Sequence, residues 1–138
     1  MLKEYGGSVR LVVKHLPYRY RDYSHIAAEA SLAARDQGKF QEMHLLLLDR
    51  SPKLDRESLI AYAKELKLDV PRFTKDLDTM RHKPEIDRDV KLGESLYLYN
   101  TPTIFINGLK LPGVRPLEAY KAVIDGELKA AVPGGRKP

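Results

Sequence analysis

Asn107-Gly108 is the feature that most constrains the fold of this chain. A two-residue hairpin turn needs left-handed backbone at both central positions, and Asn followed by Gly adopts it at least cost. On either side lie short apolar, β-branched runs, Thr103-Ile-Phe-Ile106 and Leu109-Lys-Leu111, the pattern of two antiparallel strands. A hairpin alone is marginal in water, so this one must lie on other elements. Val9-Arg-Leu-Val-Val-Lys-His-Leu16, closed by Pro17, is nearly continuous in apolar residues and reads as a buried strand of the parallel type.

Between these two regions the pattern is helical. Ser24 is the expected cap of a small-residue helix running from Ile26 to Arg35. Phe40, Met43, His44, Leu47 and Leu48 fall on one helical face ending near Asp49, and Ser51-Pro52 breaks the chain. Asp55 caps a helix burying Leu59, Tyr62, Ala63 and Leu66, and Asp69 precedes one burying Phe73, Leu77 and Met80. Pro84 opens a fifth helix, with Ile86, Val90 and Tyr97 inward. After Pro112-Gly113, a last helix from Pro116 buries Leu117, Tyr120, Ile124 and Leu128. Ahead of Val9, Leu2, Glu4 and Tyr5 run into Gly6-Gly7, like the last turn of a helix with its glycine cap.

Composition narrows the function. The 138 residues include no cysteine, which removes disulfides, thiolate metal sites and any Cys nucleophile from them. The net charge of +5 allows weak attraction to polyanions without specifying one. Tyr18-Arg-Tyr-Arg-Asp-Tyr23 could stack on bases, but it reads better as a loop with its rings against the body, and no nucleic acid partner is expected. No apolar run approaches the ~20 residues of a membrane-spanning helix, and no membrane contact is expected. Residues 1–7 lack the pattern of a signal peptide, so the chain is cytoplasmic as written, and its compartment is otherwise left open. The histidines, His15, His25, His44 and His82, have no metal-ligand spacing; no metal site, catalytic residue or cofactor is expected.

The order strand, helical block, Thr-Pro, hairpin, helix is that of a thioredoxin fold with a helical insertion. Val9 to Pro17 resembles the second strand of DsbA-like disulfide oxidoreductases. Gln37-Gly-Lys-Phe-Gln-Glu-Met-His44 resembles a helix of their insertion, and Asn100-Thr-Pro-Thr-Ile-Phe-Ile-Asn-Gly108 their cis-proline loop and hairpin. Asn100 stands where Gly is usual, and Asn is the next-best residue for left-handed backbone. The resemblance implies an α/β, thioredoxin-like fold over residues 1–130, with a helical insertion at about 24–98 and a flexible tail at 131–138. It also implies a first strand and a Cys-x-x-Cys helix start ahead of Gly6, so the chain is expected to lack that strand and most of that helix.

Thiol–disulfide exchange needs an attacking thiolate and a second thiol to resolve the mixed disulfide. The resemblance therefore implies a DsbA-like oxidoreductase domain that is redox-inactive as written. The alternative is a non-catalytic module that binds extended or unfolded peptides at the cis-proline loop, Asn100, Thr101, Pro102 and Thr103. A sheet without its first strand would leave strand edges unpaired, and a homodimer through those edges is expected.

Overall fold

The computed structural model describes residues 2–131, which form two compact units, residues 14–95 and residues 2–13 with 96–131. The expected tail at 131–138 lies outside the described residues except for Ala131, which ends the last helix.

Residues 14–95 hold five helices: α1 (Ser24–Arg35), α2 (Phe40–Arg50), α3 (Arg56–Glu65), α4 (Val70–Thr79) and α5 (Lys83–Ser95). Helix α1 is the centre of this unit, because Ala28 to Ala34 are all buried, including Glu29 and Ser31. A helix buried all round must be surrounded, and its alanines let α2, α3, α4 and α5 pack against it. The core joins Ala30, Ala33 and Ala34 to Met43, Leu47, Leu59, Tyr62, Ala63, Leu68, Phe73 and Leu77. A smaller cluster joins Ala28 and Leu32 to Ile86, with Val90 against it. Asp55 and Asp69 cap α3 and α4 as expected, accepting from the amides of Ser58 and Arg72, both at 3.0 Å.

Four helix readings need correction. Ser24 is the first residue of α1 rather than its cap; Tyr23 precedes it in left-handed backbone, with no side-chain bond to the helix end. Leu48 is 65% exposed, so the buried face of α2 is narrower than the sequence pattern and rests on Met43 and Leu47. Tyr97 lies beyond the end of α5 and is 74% exposed, and Leu117 in the last helix is also exposed.

The larger correction concerns Val9 to Leu16, which belongs to no helix or strand. A strand needs a ladder partner. Instead, Asp89, buried on α5, accepts from the Lys14 ammonium at 2.7 Å and the His15 amide at 2.9 Å. Leu16 lies on Gly93, where a Cβ would sit 2.8 Å from the leucine Cδ1. These contacts hold residues 14–16 to a helix, while Leu11 and Val12 remain exposed.

In the other unit a 3-10 turn, Leu2–Tyr5, leads through Gly6 and Gly7 into the stretch that begins at Val9. The hairpin consists of β1 (Thr103–Ile106) and β2 (Leu109–Pro112), and α6 (Leu117–Ala131) follows. Asn107 and Gly108 have φ of 47° and 88°, the geometry that the Asn-Gly pair favours. Polar contacts tie the unit together on α6: Tyr5 to Asp125 at 2.9 Å, Lys121 to Glu4 at 3.2 Å and Asn107 to Glu127 at 3.0 Å. Ile124 is its buried side chain among the described residues.

Candidate functional site

The loop Asn100–Thr103 leads directly into β1, and its backbone is set by the hairpin. The register pairs Ile106 with Leu109, Phe105 with Lys110, Ile104 with Leu111 and Thr103 with Pro112. In an antiparallel pair, opposed residues alternate between those that exchange N–H···O bonds and those that do not. Next to a two-residue turn, Ile106 and Leu109 are a bonded pair, and so are Ile104 and Leu111. The alternation continues to Pro102, whose carbonyl accepts from the Gly113 amide at 3.0 Å. Thr103 and Phe105 therefore turn their amides and carbonyls to the other side of β1. The sheet has two strands in the order β1-β2, so among the described residues no strand lies on that side.

The four loop residues share this outlook. Asn100, Thr101 and Pro102 are exposed and Thr103 half-buried; the Thr101–Pro102 peptide bond is cis. The Thr103 hydroxyl donates to the Asn100 carbonyl at 2.8 Å, which closes the loop on itself. Tyr97 and Tyr99 before the loop and Val114 beyond β2 are largely exposed. The loop has no titratable side chain, so its chemistry is that of hydrogen-bond donors and acceptors beside apolar surface. It can hold an extended chain but has no group that moves a proton.

The other sequence candidates belong to the helical unit, residues 14–95. Tyr18 stacks on Tyr20 with ring centroids 5.2 Å apart, and Tyr20 is 77% exposed, so its ring packs on another tyrosine rather than on the body. His44 stacks on Phe40, and His15 meets the same ring edge-on. Burial holds the His15 ring below the usual histidine pKa, against the pull of the Asp89 carboxylate. His25 lines an open cleft of about 410 Å³ with Pro17, Arg19, Lys83, Asp87 and Val90. Its Lys83 is paired with Asp87 at 2.6 Å. Among the described residues no group of acidic or histidine side chains could hold a metal ion.

Sequence reading missed a buried cluster around His82. Its ring nitrogens lie 2.7 Å from Glu29 and 2.9 Å from Asp36. The available signal was Glu29 itself, an acid inside the small-residue run Ala27-Ala-Glu-Ala-Ser31 that has to be buried.

Comparison with known proteins places this architecture. A family model described as "Thioredoxin" matches residues 1–126. The crystal structure of a thioredoxin-like oxidoreductase from Silicibacter pomeroyi superposes with a TM-score of 0.75 at 27% identity, over 86% of this chain and 68% of that one. Oxidised BdbD from Bacillus subtilis has the same fold, with a TM-score of 0.72 at 23% identity over 81% of this chain and 65% of that one. In sequence, the chain is 38% identical over 135 residues to Na(+)/H(+) antiporter NhaA 3 of Salinispora tropica, covering 95% of this chain and 21% of that protein. It is also 38% identical over 121 residues to the NhaA antiporter of Herminiimonas arsenicoxydans, covering 88% of this chain and 19% of that protein. The chain thus spans about a fifth of the length of these antiporters, and among the described residues no helix is long and apolar enough to cross a membrane. By the family match over residues 1–126, the chain belongs to the thioredoxin family, and the solved neighbours share its fold.

Proposed function

We propose that these residues form the peptide-holding part of a DsbA-like thioredoxin domain and perform no thiol–disulfide exchange of their own. The observation that carries this reading is the exposed Asn100–Thr103 loop continuous with an unpaired strand edge, in a sequence without a thiol. An extended peptide laid along that edge bonds to the outward amides and carbonyls of Thr103 and Phe105, while its side chains meet the neighbouring apolar surface. Titration with a reduced, unfolded peptide should shift the NMR amide signals of Thr101, Thr103 and Phe105. The same protein should leave a dithiol-coupled disulfide substrate unreduced. Unmoved signals at Thr101, Thr103 and Phe105 at millimolar peptide would reject the binding reading.

The antiporter relatives favour a second reading, in which the domain serves a cation–proton antiporter as a covalent appendage. An antibody raised against this chain should then detect, in source cells, a membrane-fraction band several times the chain's own size. A band only at the chain's size, in the soluble fraction, would reject it.

A further inference from the structure

We propose that His82 is a proton-operated latch: its doubly protonated ring, wedged between Glu29 and Asp36, holds the head of α5 to α1 and releases it in alkaline solution. Both ring nitrogens face carboxylate oxygens, Nδ1 at 2.7 Å from Glu29 Oε1 and Nε2 at 2.9 Å from Asp36 Oδ2. Ionised carboxylates only accept, whereas a neutral imidazole has a single N–H. One nitrogen of a neutral ring would aim a lone pair at an oxygen's lone pair within hydrogen-bond distance. The geometry is satisfied on both sides when the ring carries two protons.

Glu29 raises the stakes. It is 0% exposed, and its hydrogen bonds among the described residues all come from His82: the ring, and the backbone amide at 3.0 Å to each oxygen. A buried carboxylate that loses its countercharge is strongly disfavoured. The surrounding charges do not replace the ring. From α1, Arg35 is taken up by Glu85 of α5 at 2.9 Å and reaches Asp36 at 3.4 Å. Arg81 lies between Asp36 at 3.8 Å and Asp76 of α4 at 3.3 Å, and Lys83 is paired with Asp87. Four carboxylates, Glu29, Asp36, Asp76 and Glu85, thus face the ring and the guanidiniums of Arg35 and Arg81, while Arg72 of α4 donates to the Asp36 backbone carbonyl at 3.4 Å.

Burial pushes the His82 pKa down, but the bonds to Asp36 and Glu29 outweigh it, and the ring keeps its proton above the usual histidine range. A histidine whose pKa is higher folded than unfolded adds stability that is complete below about 6.5. That stability is lost as pH rises through the folded-state value. At the acid end, burial raises the Asp36 pKa but bonds from His82 and Arg35 lower it by more, so its contribution is lost only as pH falls below the ordinary carboxylate range. The cluster is intact between these limits.

The test pairs ring NMR of the four histidines with urea unfolding at pH 6 to 9. At neutral pH His82 should display two ring N–H groups and titrate above the ordinary value. The folding equilibrium constant should fall with rising pH, by up to tenfold per pH unit for one proton. The variant His82→Gln should lose that slope. A single-N–H ring at pH 7, or a His82→Gln variant with the wild-type slope, overturns the proposal. Should the variant fail to fold, the wild-type ring titration decides alone.

Discussion

Asp89 redirects the stretch that its own sequence marks as a strand. Its carboxylate is buried and takes one charge-assisted bond from Lys14 and one from the His15 amide. The two bonds differ in worth. The Lys14 side chain is 56% exposed, so water and salt screen that pair, and Lys14→Met should cost no more than about 1 kcal/mol. Asp89→Ala leaves the His15 amide without its partner and should cost about 1–3 kcal/mol, read as a lower urea midpoint at unchanged slope. Equal losses in the two variants would show that the ion pair, rather than the amide bond, fixes residues 14–16. None of this is legible in one dimension, because Asp89 is 75 positions from Lys14 and looks like any acid on a helix surface. Glu29 and His82 were hidden for the same reason, being 53 positions apart.

At the scale of elements, what the sequence revealed depended on whether a signal was local. The caps at Asp55 and Asp69 are bonds between residues three apart, and the Asn107-Gly108 turn is a property of two residues, so both were legible. Faces were harder to read. The apolar spacing on α2 extends to Leu48, yet nothing covers that side chain, because burial depends on which neighbours exist. Likewise Val9 to Leu16 has the composition of a strand, but a strand is defined by its partner. The loop Asn100–Thr103 was found through its likeness to a known motif rather than through any physical pattern, and its open backbone became visible only through the register of β1 on β2.

For the molecule as a whole, the open edge bears on assembly. We propose that, in the absence of a bound peptide, two copies pair at it. The chain carries both halves of such a joint, the unpaired side of β1 and the apolar, ladder-free stretch Val9 to Val13, with Leu11 63% and Val12 58% exposed. Reciprocal pairing of the two halves gives a closed two-fold contact. Size-exclusion chromatography with light scattering at micromolar concentration should find a dimer. Phe105→Pro should give a folded monomer, because the amide it removes faces away from β2. A wild-type monomer across the micromolar range would dispose of the idea.

The pinning of Lys14, His15 and Leu16 to α5 has one more consequence, which concerns the order of folding. Residues 14–95 are contiguous and contain every buried apolar side chain of the described residues except Ile124. The other unit is assembled from two stretches of chain that this block separates. Joining them directly would mean closing a long loop, at an entropic cost that grows with the logarithm of its length. Asp89 and Gly93 bring the two ends of the helical block together within it. Once that block has formed, Val13 and Leu96 are delivered with the loop already closed. The helical block should therefore form first, and the hairpin, α6 and the N-terminal turn should meet afterwards.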